Sequence, residues 1–387
     1  VSERLNLLYL IRTWQLGGSH TIIRLLLKYL PDDQFNIITV PYDSPGTGDA
    51  DFVRSVEKQG GRGIAPERIP WKSRANWFRA RQTVQELITR YDIDVIHAHD
   101  TLSNVLVGLE RRRFPCAAVA SPYGWWESRW NIKAKINHHV EKHYALPKFE
   151  RVYTVSQDMK RKIMQGPTRD DRIRVIHTGI DLSQFDSGKS GAEVRAEFGI
   201  PADALVVGTV SRLYIEKGHK HLIDAAAALR DRVPQLRLLI VGTGDQRAPL
   251  EQQARALGIA DRVVFTGFYD DLSGALRAMD VFAQPSVEHE GFPTAVLEAQ
   301  GAGLPVLASD IGGTHETMDN GSTGLLIPPG DAAALADAIA ALAEDPARRG
   351  AMAAAARPWI ERRFTRDQMM VEMGALYREA RDAYRAR

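Results

Sequence analysis

The sequence predicts an α/β protein of two doubly wound, parallel-sheet domains followed by a terminal helix. Three observations predict it. Short apolar segments alternate with amphipathic helical stretches. The alternation restarts after residue 190, beyond the polar, glycine-rich run Asp186-Ser187-Gly188-Lys189-Ser190-Gly191, which has linker composition. The length of 387 residues suits two domains.

In order along the first half, Leu5–Ile11 reads as a buried strand and Leu16-Gly17-Gly18-Ser19-His20 as a turn. Thr21–Leu30 reads as a helix, Phe35–Val40 as a strand, Ala80–Tyr91 as a helix and Val95–His97 as a strand. Ala117–Ala120 and Val152–Val155 are further strands. In the second half Leu205–Val210 leads into a helix at His219–Leu229, and Leu236–Val241 into a helix at Gln246–Leu257. Val263–Thr266, Val281–Gln284, Val306–Ala308 and Leu325–Ile327 complete the strands. Short continuous apolar strands of this kind belong to sheets covered on both faces. The last stretch, about 366–387, can place Met369, Met370, Met373, Leu376 and Tyr377 on one helical face. It is either an ordinary terminal helix or a crossover back onto the first domain. The expected domains are 1–188 with the terminal helix, and 189–365.

Composition narrows the class. Hydrophobic residues make up 44% and charged residues 25%, as in globular proteins. No run approaches the ~18 apolar residues of a spanning helix. Ser2-Glu3-Arg4 leads directly into the first strand, so no cleavable leader is expected. The single cysteine, Cys116, excludes an intramolecular disulfide and a cysteine-only zinc site, and makes a cytosolic compartment the default. The net charge of +2 divides into +8 over residues 1–190 and −6 over 191–387.

Ligands of open parallel sheets bind beyond the carboxyl ends of strands, so strand-end loops are where chemistry is sought. Arg212 and Lys217-Gly218 follow the strand ending at Val210, and two cations on one such loop suit a diphosphate. Gly242-Thr243-Gly244 begins a dinucleotide-type fingerprint, but Arg247 stands where a third glycine is expected. After Gln284-Pro285-Ser286 come Glu288-His289-Glu290-Gly291-Phe292-Pro293 and then Glu298. Glu290 and Glu298 are eight apart, about two helical turns, which would give them similar azimuths. Gly291 permits close backbone approach, and the following helix start offers N–H groups to an anion. Phe268 could stack on a base.

These motifs, with Gly301-x-Gly303-x-Pro305, Gly312-Gly313 and Gly324-Leu325, resemble the retaining nucleotide-sugar transferases of glycosyltransferase family 4. The likeness covers about residues 205–350 in motif order. It is looser in the first half, through Gly17-Gly18, Asp94–His99 and Val155-Ser156, with His177–Asp181 matching near the junction. The resemblance implies the GT-B fold, two facing Rossmann-like domains with donor on the second and acceptor on the first. It implies transfer from a UDP- or GDP-sugar, with retention, to a saccharide or lipid-linked acceptor, without a cofactor or metal. Carried over, Arg212 and Lys217 hold the diphosphate, Glu290 the donor sugar and Glu298 the ribose. Gly291, Phe292 and the neighbours of Pro293 offer backbone N–H groups, while Gly17, Gly18, Gly242 and Gly244 allow close approach. Many members carry a histidine before the glycine of the loop that here reads Ser121-Pro122-Tyr123-Gly124. Tyr123 occupies that place and can still donate a hydrogen bond. His99 and Asp100 are the neighbouring candidates. Epimerase, phosphorylase and non-catalytic binding activities share the same architecture.

Other signals compete. Asp92-x-Asp94 precedes its strand, at the wrong end for a metal site. His139 and His143 are four apart, but Glu141 is misplaced for the zinc-protease signature. His97 and His99 alternate along a strand, so one is expected packed and the other nearer the ligand. Residues 111–174 hold 15 Lys/Arg against 6 Asp/Glu, with Trp125, Trp126 and Trp130 nearby. This region reads as solvated surface or as a seat for an anionic membrane or lipid-linked acceptor. Nothing in it resembles a nucleic-acid module.

Overall fold

A computed structural model describes residues 4–11, 18–41, 74–125, 132–288 and 290–387. Gly17, Trp126, Trp130 and His289 lie outside the described residues. The chain forms two compact units, Val1–Thr178 with Arg366–Arg387, and Gly179–Thr365. Among the described residues no helix is long and apolar enough to cross a membrane.

Unit 1 runs β1 (Leu5–Ile11), α1 (Gly18–Tyr29), β2 (Phe35–Pro41), α2 (Arg74–Arg90), β3 (Val95–Ala98) and α3 (Thr101–Leu109). It continues with β4 (Ala117–Ala120), α4 (Ile132–Val140), β5 (Arg151–Thr154), α5 (Gln157–Met164) and β6 (Ile173–Val175). Its strands lie in the order β2-β1-β3-β4-β5-β6, all parallel. The direction of winding reverses between β1 and β3, which makes the carboxyl ends of those strands the switch point. β3 and β4 are buried at every residue, the pattern of strands covered on both faces. Sequence reading missed β6, whose three residues are too few to show a period. It also started the first helix at Thr21, where the structure begins at Gly18.

Unit 2 contains α6 (Gly191–Glu197), β7 (Leu205–Val210), α7 (His219–Ala228), β8 (Leu236–Val241) and α8 (Arg247–Ala256). Next come β9 (Val263–Gly267), α9 (Leu272–Arg277), β10 (Val281–Gln284), α10 (Thr294–Gly301), β11 (Val306–Ser309) and β12 (Gly324–Ile327). The helices α11 (Ala332–Glu344) and α12 (Pro346–Arg363) end it. The sheet order β12-β11-β10-β7-β8-β9 is the dinucleotide-type order, with its switch point between β7 and β10.

The expected junction near 188 is corrected to 178/179. The glycine-rich run belongs to unit 2. Lys189 N–H donates to Asp271 Oδ2 at 2.7 Å, and Ser190 with Glu193 forms a capping box on α6. Residues 180–185 pack there too: Ile180 N–H donates to Phe364 O at 2.9 Å. A Cβ on Gly301 would strike Ile180, Leu182 and Phe185.

The terminal helix α13 (Arg366–Arg385) belongs to unit 1. Met369, Met370, Met373, Leu376, Tyr377 and Ala380 are buried, at the i, i+3, i+4, i+7 spacing of one helical face. Tyr377 packs on Phe35, and Glu379 takes Arg151 at 3.0 Å and Arg174 at 2.9 Å. Met373→Ala is expected to destabilise unit 1 by about 2–5 kcal/mol through the void it leaves. Val371→Ala, at an exposed position, should stay within about 0.5 kcal/mol. Urea unfolding of the two variants checks both.

Candidate functional site

In unit 2 the loops after β7 and β10 meet at the switch point. The β7 loop passes through Arg212 and the short turn Ile215–Lys217 to Gly218, whose φ of 65° opens α7. A Cβ on Gly218 would lie 2.0 Å from Pro285 O, so only glycine lets the two loops touch. Val287 N–H then donates to Glu216 O at 2.9 Å. This contact brings Lys217 to Glu290: Nζ donates to Oε1 at 2.8 Å. Oε1 also accepts from Gln284 Nε2 at 3.0 Å and from Ser286 Oγ. Glu290 is buried, and its Oε2 accepts from none of the described residues. The carboxylate is therefore fixed by one oxygen and offers the other.

The backbone of Glu290 is held as tightly. Its carbonyl accepts from Gly313 N–H at 3.0 Å, and a Cβ on Gly312 would lie 1.8 Å from that oxygen. Ser286, Gln284 and the Gly312-Gly313 loop were not assigned this task from sequence. The four-residue interval from Ser286 to Glu290 lies in a loop, where spacing carries no fixed geometry. For the same reason the similar azimuths expected for Glu290 and Glu298 are corrected. The helix α10 begins at Thr294, after Pro293, so only Glu298 is on it. Pro293 has no N–H to give. Phe292 turns its ring into the core against Phe364.

Arg212 is exposed and stacks over Tyr214 at 4.7 Å, with no carboxylate partner among the described residues. Gly242 and Gly244 have packing reasons for being glycine. A Cβ on either would strike the backbone of Ser211 or Leu213. Leu213 N–H donates to Thr243 O at 2.8 Å, which joins the β7 and β8 loops. Phe268, just past β9, is 63% exposed. His219 Nε2 pairs with Ser211 Oγ at 2.8 Å, and burial holds its pKa down to about 4.

In unit 1 both histidines of β3 and its following loop are buried side by side, which corrects the expectation that one would be packed and the other set apart nearer the ligand. Positions i and i+2 of an extended chain share a face. The rings of His97 and His99 lie 3.7 Å apart between centroids. Tyr9 OH meets Tyr377 OH at 2.6 Å, and Tyr377 OH meets His97 Nδ1 at 2.8 Å. His97 Nε2 meets Ser121 Oγ. Tyr123 OH pairs with His99 Nδ1 at 2.8 Å. Burial keeps His97 well below its ordinary pKa and Tyr123 well above its own, so both are neutral around pH 7. Asp100 is occupied as the N-cap of α3, accepting from Leu102 and Ser103 N–H. Gly18 opens α1, beyond the carboxyl end of β1.

The basic region resolves into parts. Arg111, expected as surface charge, is buried; its guanidinium is ion-paired to Glu150 at 2.9 Å. Lys160 and Lys162 have aspartate partners. Burial raises the pKa of Glu141 to about 7; it holds Asn104 and Trp125. His139 and His143 stack at 4.5 Å, and no group of three or more His, Cys, Asp or Glu among the described residues could hold a metal.

Residues 16–184 match the family described as Glycosyltransferase Family 4, and residues 191–359 that described as Glycosyl transferases group 1. The D-inositol 3-phosphate glycosyltransferase of Corynebacterium urealyticum is 30% identical over 95% of this chain and 91% of its own. A GDP-mannose-dependent alpha-(1-6)-phosphatidylinositol monomannoside mannosyltransferase of Mycolicibacterium smegmatis is 37% identical, over 53% of this chain and 56% of its own. Anabaena HepE in complex with UDP-glucose superposes with a TM-score of 0.83, 25% identity, and coverage of 96% and 99%.

The His219 site has a pH consequence. The unfolded chain protonates this ring near pH 6.5, the folded chain only near 4. The unfolded state therefore binds the extra proton between those values, and stability falls as pH drops from 6.5 to 4. Relative to wild type, His219→Asn is expected to gain up to about 3 kcal/mol across that window. Urea midpoints at several pH values check it.

Proposed function

The chain belongs to glycosyltransferase family 4, and from that membership we propose that it moves a sugar from a UDP- or GDP-sugar to an acceptor hydroxyl with retention of anomeric configuration. The Lys217–Glu290 pair at the β7/β10 switch point carries this reading. Lys217 and Arg212 take the diphosphate, one as a point charge and the other through its fork. Glu290 Oε2 accepts from hydroxyls of the donor sugar. Glu298, on α10, takes the ribose, and N–H groups before and within the start of α10 face the phosphates. Exposed Phe268 stacks on the base, and Gly242 and Gly244 keep the adjoining loop close.

In the reaction the bond between the anomeric carbon and the diphosphate oxygen breaks as the acceptor oxygen bonds to the same face. The acceptor proton passes to the departing phosphate oxygen. Negative charge grows on that phosphate, and fixed cations stabilise it where it develops. The anomeric carbon becomes oxocarbenium-like, as in glycoside hydrolysis. No metal or cofactor is invoked. Tyr123, kept protonated by burial, and His99 donate to or accept from acceptor hydroxyls at the carboxyl end of the unit 1 sheet.

The acceptor is a saccharide or lipid-linked. The helix α4 favours the latter with a membrane-facing surface: Ile132 is 70% exposed and Ile136 57%, beside Lys133 and Lys135, with no acidic residue in the helix. Apolar residues flanked by lysines suit an anionic interface.

Glu290→Ala is expected to abolish transfer while the fold survives, and Lys217→Ala to weaken nucleoside diphosphate binding as well. Radiolabelled transfer after a calorimetric screen of UDP- and GDP-sugars tests this; wild-type turnover by Glu290→Ala would sink the assignment. The double variant Ile132→Ser/Ile136→Ser should float less with phosphatidylglycerol vesicles at low salt than wild type. Equal flotation would remove the membrane contact.

A further inference from the structure

Unit 1 has a second charged feature, away from the strand ends that carry His99 and Tyr123. A cleft of about 660 Å³ opens where three connections enter the sheet. The Arg111–Arg113 turn leads into β4, Pro147-Lys148 lie just before β5, and Arg172 just before β6. All are at the amino ends of their strands. Tyr123 lies beyond the opposite end of β4, on the order of 13 Å along the strand at ~3.3 Å per residue. The cleft is therefore not an extension of the acceptor end.

Six of its nine lining residues are cations: Arg111, Arg112, Arg113, Lys148, Arg172 and Arg387. The one acidic side chain in the lining, Glu110, already accepts from Arg113 at 2.5 Å and from Trp77 Nε1 at 2.7 Å. Beneath the cleft, fully buried Glu150 is shared by Arg111 and Arg387, each at 2.9 Å. Arg111 further donates to the carbonyls of Phe114 and Cys116, so its guanidinium is a fixed floor. Arg172 is aimed by donating Nη1 to Pro147 O at 2.8 Å. Arg112 and Lys148 are exposed and have no ion-pair partner among the described residues.

Like charges gathered in one cleft repel each other, and the cleft focuses their field on whatever anion enters. Guanidinium forks match phosphate oxygens in pairs. The volume exceeds that of a bare phosphate and falls in the range of small-ligand pockets. We propose that this cleft is a binding site for a phosphate-bearing anion, separate from the donor diphosphate site in unit 2. The phosphate is carried by a small soluble molecule or by a lipid headgroup. The proposal does not rest on the transfer reading.

The test uses the full chain at low salt with inorganic pyrophosphate as probe. It compares wild type, the double variant Arg112→Ser/Lys148→Ser, and Lys217→Ala. Both cleft residues are exposed, so the double variant should fold and keep basal transfer. Pyrophosphate is expected to raise the melting temperature of wild type and of Lys217→Ala saturably. In the double variant the half-saturation should move at least ~10-fold, as two charged donors are lost. If the shift persists unchanged in the double variant, or vanishes only in Lys217→Ala, the anion belongs elsewhere and the proposal fails. Flotation with phosphatidylglycerol vesicles separates the sources. Capture that the double variant loses and pyrophosphate competes away assigns a headgroup; a pyrophosphate response without capture assigns a soluble ligand. Absence of both the pyrophosphate response and vesicle capture in wild type overturns the site.

Discussion

The second unit depends on backbone lying directly against backbone at the carboxyl ends of its strands. Gly218 touches Pro285, Gly312 touches Glu290, and Gly242 and Gly244 touch the loop at Ser211 and Leu213. With a side chain at any of these places the loops would stand apart, and the Lys217–Glu290 pair would open. Glycine supplies both the left-handed conformations and the missing Cβ. The glycines that look like ligand contacts in the sequence are first of all spacers that set how near one loop comes to the next. A charged pair held on such a frame is fixed by the protein's own backbone, which is the condition for electrostatic preorganisation.

The strands were legible because parallel sheets bury both faces and leave continuous apolar runs, as in Ala117–Ala120 and Val306–Ser309. The loops that carry the candidate residues were legible because they follow those strands. What stayed hidden was which groups hold the functional side chains. Ser286 and Gln284 carry no signal as supports for Glu290, and Tyr377 sits 280 residues from the His97 ring it bonds. Long-range partners of this kind arise only when the topology is fixed. The run 186–191 misled because a capping box and a linker draw on the same Ser, Gly, Lys and Asp. The spacing of Glu290 and Glu298 misled because a helical period was applied across a loop.

The carboxyl ends of the two sheets differ in kind. That of unit 2 is charged, with a carboxylate and an ammonium sharing one hydrogen bond. That of unit 1 is a neutral chain of phenol, imidazole and hydroxyl groups, kept neutral by burial. The net charges of the two halves say the reverse. Much of the excess base of unit 1 gathers at the amino ends of its strands, where Arg112 and Lys148 lie. Summed charge is thus a poor guide to where charge acts, whereas the end of the strand from which a loop springs is a good one.

Because α13 completes unit 1 although it follows unit 2 in sequence, the chain enters and leaves unit 2 side by side, at Ile180 and Phe364. During synthesis residues 1–178 leave the ribosome first, yet Tyr9, His97 and Phe35 lack their covering helix until residues 366–385 have followed. Unit 2, contiguous in sequence, has all its parts earlier. The order of emergence and the order of completion are therefore inverted: the half made first must wait, with part of its interior uncovered, for the half made second.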